Sequence, residues 1–112
     1  MKKKKKTPIP KDVKEQIGKI IEDFNKNVLN SSNVYYVPRY RGCFLYLERP
    51  IFGRLEAICR LEYTENMDDW KFAIYKYSSN KYDSDAWMFP GDEEVDGTIE
   101  GAMRAGLKAY PA

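Results

Sequence analysis

Between Gly42 and Tyr63 the chain alternates apolar and polar residues with a period of two. Leu55, Ala57, Cys59, Leu61 and Tyr63 fall on one parity; Arg54, Glu56, Ile58, Arg60 and Glu62 fall on the other. That alternation predicts a strand with one buried and one wet face, and the run Cys43–Arg49 before it reads as its hairpin partner. Closing the turn between Arg49 and Gly53 around Pro50, Ile51 and Phe52 fixes a register. Leu47–Leu55, Leu45–Ala57 and Cys43–Cys59 then pair inward, while Glu48–Arg54, Tyr46–Glu56 and Phe44–Ile58 pair outward. Apolar residues oppose apolar ones and an opposite-charge pair sits beside the turn, as cross-strand stabilisation favours. A slip of one residue would drive the charges into the core.

The period changes to that of a helix on either side. After Pro10, a good helix-opening residue, Val13, Ile17, Ile20, Ile21, Phe24 and Val28 follow at i, i+4, i+7, i+8, i+11 and i+15, one apolar stripe along a helix starting at Lys11. Asn30-Ser31-Ser32-Asn33 ends it in turn formers. Near the C-terminus Ile99, Ala102, Met103, Gly106, Leu107 and Tyr110 repeat the pattern, with Asp96 or Thr98 as cap and Pro111 as stop. Ala102 and Gly106 on that stripe predict close approach to the sheet. A third strand is expected over Trp70–Tyr77, with Trp70, Phe72 and Ile74 inward and Tyr63 opposite Trp70. Val34–Arg41 reads as an irregular lead-in to the first strand, because Pro38 cannot donate to a ladder. In 78–97, Trp87, Met88 and Phe89 are expected to plug an edge of the core.

The fold class expected is therefore α+β: a helix, a three-stranded antiparallel sheet and a helix, with both helices on one face. One domain over residues 10–112 follows a disordered basic tail over 1–9, and 112 residues suit a single core. No apolar run approaches the length of a membrane span, and no apolar stretch follows the lysines as in a secretory signal. A cytoplasmic protein with no membrane association is expected. Its two cysteines then act as reduced core residues, although the register would set them face to face.

Charge sharpens this picture. The net charge of +2 hides a division: residues 38–60 carry five arginines against two glutamates, whereas 61–100 carry eleven carboxylates against three lysines. Such polarity orients a partner. The chain has no histidine, so no Ser-His or Cys-His pair is available for catalysis. Its serines sit in turn-like runs and its glycines are scattered singly. No enzyme activity and no cofactor is expected. Asp92-Glu93-Glu94-Val95-Asp96-Gly97 has the alternate acids of a calcium loop, but Met103 stands where that loop needs a bidentate glutamate. It reads as a solvated acidic loop favouring the N-terminus of the last helix, and no metal site is expected.

The outward sheet face is the candidate binding site. The register places Phe44, Tyr46, Ile58, Arg60, Lys71, Tyr75 and Tyr77 there, with Arg54 and Glu56 nearer the turn. Aromatics among cations equip a protein interface. They also equip a platform that stacks bases and holds phosphates, to which Lys2–Lys6 would add. The leading expectation is a protein partner; the alternative is single-stranded nucleic acid. The element order over residues 11–110 is similar to that of double-stranded RNA-binding domains, in topology alone. That family grips phosphates with a lysine-rich opening of its second helix. Here the corresponding place is the acidic run Asp92–Asp96, which argues against duplex binding by that route.

Overall fold

The computed structural model describes residues 6–86 and 88–112. Helix α1 (Lys11–Phe24) is followed by strands β1 (Val37–Arg41), β2 (Phe44–Ile51), β3 (Arg54–Glu62), β4 (Lys71–Lys76) and β5 (Lys81–Asp83), then helix α2 (Ile99–Ala109). The strands form one antiparallel sheet in sequence order. Five strands replace the three expected. The lead-in became β1 because Gly42, at φ 59°, turns the chain back on itself. Pro38 is tolerated there because β1 is an edge. The second addition, β5, hangs on the turn Tyr77–Asn80, where Asn80 takes a left-handed φ of 52°. With two more strands, the topological likeness to the double-stranded RNA-binding domain no longer holds.

One apolar cluster joins Ile17, Ile21 and Phe24 of α1 to Leu45, Leu47, Cys59, Leu61 and Ile74 of the sheet and to Ile99, Ala102 and Met103 of α2. Both helices therefore share one face of the sheet. The close approach expected at Gly106 is present: a Cβ there would lie 2.6 Å from Cγ2 of Ile58 and 2.5 Å from the Tyr36 hydroxyl. Tyr36 in turn donates to the carbonyl of Met103 at 2.7 Å. Thr98 caps α2, its hydroxyl oxygen accepting from the Gly101 amide at 3.0 Å.

The central hairpin differs from its expected register. Its turn is the two-residue Phe52-Gly53, both with positive φ (50° and 78°), the twist-matched form for a tight hairpin. Ile51 faces Arg54, Arg49 faces Glu56 and Glu48 faces Ala57. A β-bulge then adds Ile58 to β3, so that Leu47 faces Cys59 and Leu45 faces Leu61. The extra residue reverses parity. Ile58 and Cys59 are adjacent and both fully buried, while Leu55, expected inward, is 54% exposed. Cys43 ends up beside Tyr63, whose amide donates to its carbonyl, and both cysteines are free and buried.

Three further expectations are corrected. The tail does not run to residue 9: Ile9 is buried and its amide donates to the Gly42 carbonyl at 3.0 Å. Residues 1–5 lie outside the described residues. Val28 leaves the apolar stripe of α1 because Asn25–Leu29 form a π-turn. The wider turn rotates Val28 to solvent and lets Leu29 pack against the core instead. Asn25 fixes the turn by accepting from the Tyr36 amide at 2.8 Å and donating to the Tyr36 carbonyl at 3.0 Å. Finally, Phe89 does plug an edge, stacked on Phe72 at 5.9 Å, but Met88 is largely exposed and Trp87 lies outside the described residues.

Candidate functional site

With both helices on one side, the other side of the sheet is open, and cross-strand pairing arranges its side chains in rows. Arg41, Phe44, Glu62 and Lys71 form one row; Arg39, Tyr46, Arg60 and Ala73 form the next; Tyr75 and Tyr82 pair beside them. The rings make a continuous track. Phe44 lies 6.1 Å from Tyr46, Tyr46 5.4 Å from Tyr82, Tyr82 4.9 Å from Tyr75, and Tyr75 4.8 Å from Tyr77.

Cations sit on the rings. The Arg39 guanidinium is 4.2 Å from the centre of Tyr46, and Arg60 is 4.4 Å from Phe44 and 5.2 Å from Tyr82. Lys6, the last of the five-lysine run, lies 5.3 Å from Phe44. Two carboxylates temper this charge: Glu48 pairs with Arg39 and Glu62 with Lys6, each at 3.3 Å. Both pairs are partly exposed and salt-screened, so they hold geometry more than they add stability.

The Tyr77 and Tyr82 hydroxyls are held in the neutral form. Partial burial, with Glu48 nearby, pushes Tyr82 up to about 12; partial burial and then Glu56 push Tyr77 up to about 12. The Tyr77 hydroxyl donates to the Ala57 carbonyl at 2.7 Å and approaches Glu56 at 3.3 Å. The rings therefore stand among cations, with the Tyr77 hydroxyl already engaged by the Ala57 carbonyl.

Six of the seven residues expected at this site come together: Phe44, Tyr46, Arg60, Lys71, Tyr75 and Tyr77. Ile58 does not, because the bulge turns it into the core against Gly106. Arg54 and Glu56 shift with it, lining a cavity with Ile58, Tyr110 and Tyr77, the last of which reaches it from the end of the ring track. Arg39 and Tyr82 are additions that the alternation pattern did not reveal. Tyr82 lies in a strand of three residues, too short for periodicity. Its one sequence cue is the run Ser78-Ser79-Asn80 between two Tyr-bearing segments.

The acidic loop is spent on local structure. Asp96 accepts from the amide and hydroxyl of Thr98, and Asp92 from the Met88 amide. Glu93 pairs with Lys108 at 2.8 Å, which draws its carboxyl down to about 2. Among the described residues no three potential ligands cluster to hold a metal ion, and no helix is long and apolar enough to cross a membrane. No protein-family model matches the chain, and neither a curated protein nor a solved structure matches it significantly.

Proposed function

We propose that this chain is a non-catalytic binding module whose open sheet face receives single-stranded nucleic acid. The observation that carries the reading is the ring track from Phe44 to Tyr77 with guanidinium groups interleaved along it. Bases stack on aromatic rings irrespective of sequence, at about 1–3 kcal/mol each, and cations follow the phosphates. Arg39, Arg60 and Lys71 stand beside the rings to take that second role. The position of Lys6 on Phe44 tips the balance from a protein partner toward a polyanion, since it puts the end of the lysine run on the same face. A protein interface draws on the same tyrosines and arginines. The specific point in its favour is that Glu48 and Glu62 already hold Arg39 and Lys6.

The test is an amide NMR titration of the full chain with a mixed-sequence single-stranded oligonucleotide at several salt concentrations. Shifts are expected at 44–46, 60, 71–77 and 82. Three phosphate contacts give a log–log salt slope of about −2. Tyr46→Ala and Arg60→Ala each weaken binding. No shifts, or shifts indifferent to salt, remove the nucleic-acid reading and leave the protein interface.

A further inference from the structure

Away from the ring track, the β2–β3 hairpin projects beyond its neighbours. β4 pairs with β3 only between Cys59 and Glu62, and β1 reaches no nearer the turn than Glu48. Past Cys59 the strands part: the Tyr77 hydroxyl donates to the Ala57 carbonyl and the Tyr110 hydroxyl to the Tyr75 carbonyl, in place of a ladder. Among the described residues no strand pairs with the outer edge of β3 from Arg54 to Ile58. Pro50 decides which backbone groups that edge offers. Opposed residues in an antiparallel ladder alternate between hydrogen-bonded and non-bonded pairs. Pro50 has no N–H and faces Leu55, so theirs is a non-bonded pair and Leu55 turns its N–H and C=O outward. Ala57, two residues on, does the same, in agreement with the approach of Tyr77 to its carbonyl.

The tip is apolar as well as open: Phe52 is wholly exposed, with Ile51 and Leu55 exposed beside it. An open apolar edge is a template for pairing with another chain. We propose that two copies of this chain join through these edges, antiparallel about a two-fold axis at Leu55. Such a contact must be self-complementary, and the charges supply this. Arg54 and Glu56 of one copy oppose Glu56 and Arg54 of the other, two reciprocal opposite-charge pairs, whereas centring the axis on Glu56 would oppose like charges. Among the described residues Arg54 forms no ion pair within its own chain, so its charge is available. The Leu55 residues exchange both backbone hydrogen bonds, and their exposed side chains meet. Ala57 comes opposite Gly53 of the second copy, where the missing side chain leaves room for the Tyr77 ring. Phe52 comes opposite Ile58 of the second copy. It then lies at the cavity of about 380 Å³ that Ile58 lines with Ile51, Phe52, Arg54, Glu56, Tyr77 and Tyr110 of that copy.

The test follows the mass of the full chain by analytical ultracentrifugation. An edge this short makes a small interface, so a dimer with Kd between about 10 μM and 1 mM is expected. Arg54→Glu and Glu56→Lys should each weaken it about tenfold or more, since each sets like charges opposite one another. An equimolar mixture of the two variants should dimerise again, because each carries the charges the other lacks. A chain that stays monomeric to about 2 mM overturns the proposal without any variant. Single variants that dimerise like the unaltered chain, or a mixture no tighter than its components, also overturn it. If either variant fails to fold, a half-isotope-labelled sample of the unaltered chain decides by NMR. An intermolecular contact between the α-protons of Arg54 and Glu56 is expected, as a non-bonded pair brings them close; intermolecular contacts elsewhere overturn the proposal.

Discussion

Gly106→Ala tests how α2 meets the sheet. Judged by helix propensity alone, the change should stabilise α2 by about 1 kcal/mol. The tertiary contact reverses the sign. The new methyl would sit 2.6 Å from Cγ2 of Ile58 and 2.5 Å from the Tyr36 hydroxyl, where carbon atoms prefer about 3.5–4.0 Å. Ile58 is held by the bulge and Tyr36 by its hydrogen bond to Met103, so neither can withdraw cheaply. Overpacking costs about 1–3 kcal/mol, and disturbing the buried Tyr36 hydroxyl costs about 1–2 kcal/mol more. Subtracting the propensity gain leaves a net loss of about 2 kcal/mol. At about 2.1 cal/mol/K per residue, a chain of 112 residues should lose roughly 8 °C of melting temperature. Urea denaturation and calorimetry read both quantities. Gly106→Ala on a Tyr36→Phe background should cost less than the same change alone, because one of the two clashes has gone. A neutral or stabilising Gly106→Ala would refute the close approach.

Other consequences follow from the same geometry. Phe52→Asn should stabilise the chain by about 1 kcal/mol, because Phe52 is wholly exposed at φ 50° and asparagine suits that turn position; a lower urea midpoint would contradict this account of the hairpin. Asn25→Ala removes both bonds to the Tyr36 backbone and should cost about 1–3 kcal/mol, whereas an unchanged midpoint would mean that the π-turn needs no clamp. Tyr77 and Tyr82 ionise near 12 in the fold, against about 10 in the unfolded chain. Their stabilisation is whole below about pH 10 and is lost as pH rises through about 12. Urea midpoints that fall over this window alongside tyrosinate absorbance are expected, and a flat midpoint would refute the shift.

What the sequence determined by itself were the features that depend on near neighbours. The apolar stripe of α1, a cap for α2 at Asp96 or Thr98 and the alternation of β2 each follow from periodicity or capping chemistry over a few residues. They were enough to give the α+β class and to bring six of the expected residues onto one face. Tertiary structure decided the rest. A bulge is a single-residue event, marked here only by apolar Ile58 on the polar parity, yet it reversed the parity of the turn-side half of β3 and carried Ile58 from the proposed site into the core. The π-turn at Asn25 moved Val28 the other way, from the apolar stripe to solvent, because the side chain that fixes the turn bonds to Tyr36, eleven residues away. Likewise β5 is too short to hold together except against β4, and with it came Tyr82. The burial of Arg49, with Nη2 on the Tyr110 carbonyl, is also invisible along the chain. An arginine on the inward parity of a strand acquires its environment only when the end of α2 closes over it.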